Sequence, residues 1–284
     1  MATIQQTSQY IRENIQEAYP EPEAGAIAQR VLEQVLQKSR MQLSLSQQEE
    51  LNPEQEEQVQ QAVERLKKQE PVQYVLGTAH FFGLDLQVDE RVLIPRPETE
   101  ELVDLVVREH SGRSGLQVLD ICTGSGCIPL ALAAHLQADR VYGLEVSEGA
   151  LKVARANARE QKLPVAWLEQ DVFEPIQGIA PRSLDIITSN PPYVKEQEKA
   201  LMRPNVLAFE PHLALFVPDE DPLRFYRRIA EVGTELLKKG GRLYFEINEQ
   251  YGGEVQTLLL EAGFTQAQVV QDLFGKDRIV KGEL

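Results

Sequence analysis

The chain has 284 residues, 42% of them apolar and 26% charged, which is enough to bury a real core and ordinary for a globular protein. That excludes a disordered or collagen-like chain; no apolar run reaches the ~18 residues of a membrane helix, and the opening MATIQQTSQY lacks the basic and apolar parts of a secretory leader. The net charge of −15 is badly suited to a general grip on phosphate backbones, which takes many Lys and Arg contacts, so no nucleic-acid partner is expected, and no membrane partner either.

The first 70 residues contain 15 Gln, one Gly and no Asp. Ile4, Ile11 and Ile15 fall at helical spacing, and Pro20 and Pro22 then break the chain. Ile27, Val31, Leu32, Val35 and Leu36 form a second apolar stripe. Asn52, Pro53 and Gln55 read as an N-cap, a proline at the first helical position and a capping-box partner, ahead of a stripe of Val59, Ala62, Val63 and Leu66. A small helical domain over residues 1–75 is predicted, with the glutamines on its solvated face. Residues 76–95 change period. Phe82, Leu84, Leu86 and Val88 alternate, Asp89-Glu90-Arg91 reads as a turn, and Val92-Leu93-Ile94 as the returning strand of a β-hairpin linker.

From residue 96 to 284, strands and helices alternate. Strands are expected at Val118–Ile121, Val141–Leu144, Val165–Leu168, Leu184–Ser189 and Arg242–Ile247, with helices between them. Such alternation builds a parallel sheet covered on both faces. Two last strands, near 267–270 and 278–281, lack an intervening helix and should pair antiparallel. The expected architecture is α/β, a seven-stranded Rossmann-like sheet.

In such sheets, ligands bind beyond the C-terminal strand ends. The first strand ends in Asp120-Ile121-Cys122-Thr123-Gly124-Ser125-Gly126, where the glycines allow close backbone approach, and the second ends at Glu145, an acceptor for ribose hydroxyls. A dinucleotide site wants G-x-G-x-x-G, but Pro129 stands at the third glycine. S-adenosylmethionine needs no phosphate seat, and its positive charge suits Asp120. The fourth strand runs into Asn190-Pro191-Pro192-Tyr193. Two prolines remove two N–H donors and leave carbonyls free; Asn190 adds an acceptor oxygen and Tyr193 a flat face. That set fits the holding of a planar NH2 group, with Asn190 and the Pro191 carbonyl each accepting one hydrogen. Neither an HExxH nor a Cys/His cluster surrounds the four scattered histidines, so no metal site is expected, and two cysteines alone, Cys122 and Cys127, point to a reduced, cytosolic setting.

Asp120 to Gly126, Glu145 and Asn190 to Tyr193 resemble class I methyltransferases acting on planar amino nitrogens. Ile94-Pro95-Arg96-Pro97-Glu98-Thr99-Glu100 with Leu102-Val103 resembles, within that class, the release factor glutamine methyltransferases. Phe81-Phe82-Gly83, Phe209-Glu210-Pro211, Ala214-Leu215, Glu246-Ile247 with Gln250, and Asp277 to Val280 agree with that family, so the resemblance runs from about residue 70 to the end. It implies methyl transfer from S-adenosylmethionine to the glutamine of the Gly-Gly-Gln motif of peptide-chain release factors; with no long exposed heptad in the sequence, a monomer is the default expectation. The resemblance also implies that Asp120, Cys122, Thr123, Gly124, Ser125, Gly126, Glu145, Asp171, Val172 and Asn190 line the cofactor. The catalytic set is Asn190, Pro191 and Tyr193; Leu93, Asn190, Pro191, Pro192 and Tyr193 hold the substrate; the helical domain docks it. Cys122 stands where the family usually has glycine, Val172 replaces an aromatic, and Phe216-Val217-Pro218 and Pro222 stand where glycines are common. An adenine or guanine amino-group methyltransferase shares the Asn-Pro-Pro-Tyr motif, and a non-catalytic protein of this fold is the other alternative; the acidic charge and intact motifs speak against each.

Overall fold

A computed structural model describes residues 1–284 as two compact units, one of residues 1–78 with 203–209, the other of residues 79–202 with 210–284. The 1–78 segment of the first contains five helices: α1 (Ile4–Ile15), α2 (Glu21–Leu36), α3 (Arg40–Leu45), α4 (Pro53–Leu66) and α5 (Val72–Leu76); its 203–209 segment adds one more short helix. Three of them begin with reciprocal capping boxes, Thr3 with Gln6, Ser39 with Gln42 and Asn52 with Gln55. Each satisfies two N–H groups that a helix start otherwise leaves open. Pro20 and Pro22 do not merely interrupt the chain: Pro20 is the N-cap residue of α2, and Pro22 lies in its first turn. The apolar stripes meet in one core containing Ile11, Ile15, Val31, Leu32, Val63 and Leu66. Each such fully buried side chain contributes about 1.5–3 kcal/mol, so the stripes outweigh the caps, at roughly 1 kcal/mol each.

The second unit opens with a hairpin, β1 (Thr78–Phe81, its first residue still in the first unit) and β2 (Leu84–Gln87). Asp89–Arg91 does turn the chain, with the Val92 N–H donating to the Asp89 carbonyl at 3.1 Å, but the hairpin turn lies at Phe82-Gly83, and Val92–Ile94 forms no strand. Both turn residues have positive φ, 46° and 82°, the tight hairpin geometry that matches strand twist. Glycine fits there freely. Phe82 is held by its N–H on Glu100 Oε1, at 2.9 Å, and by its ring, edge-on to His135. The hairpin does not swing free, because Phe81 and Leu86 are buried in the core of this unit. Asn157 clamps Gln87, accepting from its N–H at 2.7 Å and donating to its carbonyl at 3.1 Å.

The remaining elements are α6 (Pro97–Glu109), β3 (Ser114–Ile121), α7 (Cys127–His135), β4 (Gln137–Glu145), α8 (Glu148–Gln161), β5 (Ala166–Glu169), β6 (Leu184–Ser189), β7 (Val194–Lys195), α9 (Pro204–Phe209), β8 (Phe216–Val217), α10 (Arg224–Leu236), β9 (Leu237–Glu246), α11 (Gly252–Glu261), β10 (Thr265–Gln271) and β11 (Asp277–Glu283). Seven strands form one sheet in the order β10-β11-β9-β6-β3-β4-β5. The five from β9 to β5 are parallel, and β10, β11 and β9 pair antiparallel. Alternate strand residues feed two cores. Leu119, Ile121, Ile187, Leu243 and Phe245 face one side, and Leu116, Val118, Ile186 and Tyr244 the other. No helix is long and apolar enough to cross a membrane.

Candidate active site

The strand order reverses at β3, which has β4 on one side and β6 on the other, so the crevice for a ligand opens beyond their C-terminal ends. In register, Asp120 pairs with Thr188 and Ile121 with Ser189, and Ser189 in turn pairs with Phe245 of β9. The glycine turn after β3, the Asn-Pro-Pro-Tyr loop after β6 and Glu246 at the end of β9 therefore emerge side by side. Two side-chain bonds fasten the first pair of ends: Thr188 Oγ1 donates to Asp120 Oδ1 and Ser189 Oγ to the Ile121 carbonyl, both at 2.7 Å.

At the glycine turn the backbone is committed and several side chains are not. Cys122, Gly124 and Gly126 all have positive φ, 62°, 53° and 81°. A Cβ on Gly124 would meet nothing, whereas one on Gly126 would lie 2.8 Å from the Trp167 ring. Trp167 fills the space beneath the turn and also requires Gly143, whose Cβ would come within 2.5 Å of it. Asn157, wholly buried, donates at 3.0 Å to the Ser125 carbonyl. Glu145 accepts from the N–H groups of Gly124, Val146 and Ser147, each at 3.0 Å. Asp120 Oδ2, Thr123 Oγ1 and Ser125 Oγ are buried without partners. Buried polar atoms are almost always paired, so three unpaired ones within six residues set this turn apart from the rest of the chain. Burial pushes the Asp120 carboxyl up to about 7.

The acceptor loop is the reverse. Asn190 Nδ2 donates to Thr99 Oγ1 at 3.3 Å, and Thr99 Oγ1 donates to Glu246 Oε2 at 2.6 Å. The Tyr193 hydroxyl reaches Glu246 Oε1 at 3.4 Å, and Tyr226 OH donates to the Glu246 carbonyl oxygen at 3.3 Å. Glu246 is only 1% exposed, and burial raises its carboxyl to about 7. Burial also raises the Tyr193 phenol, which stays protonated. Pro191 and Pro192 are buried. With its NH2 on Thr99, the Asn190 oxygen is turned the other way. The Arg96 guanidinium pairs at 2.6 Å with buried Glu210, which also accepts from the Ile94 N–H at 3.1 Å and so pins the segment that carries half-buried Leu93.

Residues 6–77 match the family model of the PrmC N-terminal domain, and residues 99–207 that of the methyltransferase small domain. A release factor glutamine methyltransferase of Bacteroides thetaiotaomicron is 46% identical over 271 residues, 95% of this chain and 96% of the relative. The chain belongs to the release factor glutamine methyltransferase family. One from Streptococcus pneumoniae is 44% identical over 82% of each chain. A methyltransferase structure from Pyrococcus furiosus, 17% identical, superposes with a TM-score of 0.53 over 71% of this chain and 89% of its own, which speaks to the fold alone.

The departures from the family pattern now have locations. Cys122 occupies the left-handed region, which explains why glycine is usual there, and its side chain packs against the β3 core. Burial, together with the Glu145 and Asp120 carboxylates, drives its thiol well above the ordinary range. Val172 lies in the same core, 3% exposed, while Asp171 is exposed and accepts from the Phe173 N–H at 2.9 Å. Phe216-Val217 forms β8, which pairs parallel with β7 directly after Tyr193. The sequence reading assigned no role to Thr99, Glu246 or Asn157. Thr99 and Glu246 stand in segments quoted for the resemblance, and an acidic residue ending the buried run Leu243-Tyr244-Phe245 was the available signal.

Proposed function

We propose that this protein methylates the side-chain amide nitrogen, N5, of the glutamine in the Gly-Gly-Gln motif of peptide-chain release factors, using S-adenosylmethionine. The observation that carries this reading is the Asn190 amide: its NH2 is engaged by Thr99 and its oxygen is free, beside a turn with three unpartnered polar atoms. The residues fit the cofactor. Asp120 Oδ2 offers an acceptor to an ammonium, Thr123 and Ser125 offer hydroxyls to a carboxylate, Glu145 suits the ribose, and Gly124 leaves room for close approach. Asp171 and the Val172 backbone would border the adenine.

When bound, the cofactor supplies an electrophilic methyl group. The chain's task is to make an amide nitrogen, whose lone pair is delocalised, a usable nucleophile. Asn190 Oδ1 and the Pro191 carbonyl accept its two hydrogens and favour the positive charge that builds on nitrogen, while Tyr193 and Pro192 keep the amide plane fixed. No strong base is needed, because the proton leaves after the nitrogen has become cationic. Leu93 closes the apolar wall. The helical unit docks the release factor, a cytoplasmic protein substrate, and the enzyme acts as a monomer. Intact-mass analysis of a release factor incubated with this protein and S-adenosylmethionine should show one added methyl, located on the Gly-Gly-Gln peptide. An unmodified release factor, or methyl transfer to nucleic acid instead, would overturn the reading.

A further inference from the structure

We propose that Thr99 and Glu246 are positioning residues that decide which end of the Asn190 side-chain amide faces the target nitrogen. The proposal rests on the reading that Asn190 holds the substrate amide. The two ends of an Asn amide are nearly identical in shape but opposite in hydrogen bonding. Rotated by half a turn, Asn190 would present NH2 to the NH2 of the target, donor against donor, and the site would bind without activating. Something must select the orientation, and neither Pro191 nor Pro192 has an N–H to offer.

The selection follows from counting protons. Above about pH 7, where Glu246 is ionised, it can only accept, and its Oε2 lies 2.6 Å from Thr99 Oγ1. The single hydroxyl proton of Thr99 is thereby used. What Thr99 has left for Asn190 is lone pairs, so the group it receives at 3.3 Å must be Nδ2. Oδ1 is then directed away from Thr99. A threonine hydroxyl alone could donate or accept and would leave the amide undecided; the carboxylate behind it removes that freedom. Glu246 also fixes the plane of the aromatic partner, since Tyr193 OH reaches its other oxygen at 3.4 Å. The charged groups around this carboxylate are Arg278, itself held by Asp272 at 3.2 Å, and Glu98. Thr99 and Glu246 come from α6 and β9, 147 residues apart; α6 packs through Leu102, Val103 and Val106 into the same core as Tyr244 of β9, and the register of Ser189 with Phe245 brings Asn190 alongside.

The test is the methylation of an intact release factor with cofactor saturating, at about pH 8, where Glu246 is ionised. Thr99→Val keeps the shape and removes the relay; kcat should fall about 10–100-fold, with KM and cofactor affinity within about threefold, because the lost interaction matters most as charge develops. Thr99→Ser restores the hydroxyl and should return kcat to within about threefold of the original. Glu246→Leu should reproduce the Thr99→Val loss, and the double variant should lose no more than either, since linked groups are not additive. A Thr99→Val enzyme with unchanged kcat overturns the proposal. So does a loss confined to melting temperature or cofactor affinity, which would make Thr99 a purely structural contact. Should Glu246→Leu not fold, the Thr99 pair decides alone. An Asn190→Ala enzyme that is dead beside an unimpaired Thr99→Val sinks the relay and leaves the role of Asn190 standing; an active Asn190→Ala removes that role first.

Discussion

The two loops at the active end of the sheet are built on opposite plans. The glycine turn has its backbone bonded to Glu145 and Asn157, yet leaves Asp120 Oδ2, Thr123 Oγ1 and Ser125 Oγ without partners. The Asn190 loop has its side chains joined in a continuous chain, Asn190 to Thr99 to Glu246 to Tyr193. In the proposed reaction, one is finished by the cofactor it receives; the other is finished beforehand. The difference follows from their tasks. A binding site can leave groups unpaired for a ligand to satisfy, whereas a group that must stabilise developing charge works only if its dipole is already aimed.

The most severe way to break this contrast is to disarm the preorganised side. Asn190→Ala should lower kcat by about 10²–10³, as for other aimed electrostatic partners, with binding little changed. Asn190→Asp should not rescue it, because Thr99 has no proton left to give and two carboxylates would then crowd one hydroxyl. Single-turnover rates check both; activity in the Asp variant well above that of Ala would show that Thr99 can redirect its proton.

A second effect comes from the raised carboxyls. Asp120 and Glu246, both pushed to about 7 by burial, bind protons more tightly folded than unfolded. Their contribution to stability is thus complete below pH ~4 and lost as pH rises through about 7, by as much as about 4 kcal/mol for Asp120. The carboxylates held low by hydrogen bonds and cationic partners, such as Asp89, Asp221 and Asp272, act only at the acid end. Urea midpoints should therefore fall between pH 5 and 8, and Asp120→Asn should flatten that slope. Equal slopes in the two proteins would place the effect elsewhere.

Smaller still is the cofactor side. Every Glu145 oxygen accepts a backbone N–H, so Glu145→Gln, which must turn an NH2 toward one of them, should be no milder than Glu145→Ala. Both should weaken S-adenosylmethionine by ~1.5–3 kcal/mol in calorimetry. A mild Gln variant would mean the carboxylate serves the ribose alone. Least of all, Ser39→Ala should cost about 1 kcal/mol in thermal unfolding and nothing at either loop.

What the sequence disclosed divides along the same physical line. Periodic stripes and local caps are written over a few neighbouring residues, so the three long helices of the first unit, the seven strands and the antiparallel ending of the sheet were legible. The α3 helix was missed because six residues carry no stripe, although Ser39 and Gln42 spell its capping box. The hairpin turn was misplaced because Asp-Glu-Arg looks more like a turn than Phe-Gly; Phe82 tolerates positive φ only through contacts with Glu100 and His135, far along the chain. At the site, the motif residues announced themselves by composition. The Thr99–Glu246 relay did not, because a bond across 147 residues leaves no local spacing to find.

Trp167 is the body that forces Gly126 and Gly143 to remain glycine. It is also the chain's one tryptophan, half-buried directly beneath the turn that the cofactor should occupy. Light absorbed at the red edge of the protein spectrum is therefore emitted from a single known address. Any tightening or loosening of the Cys122–Gly126 turn alters the surroundings of that indole alone. The protein thus carries its own optical reporter of the cofactor turn, free of signal from the helical unit, which holds no tryptophan at all.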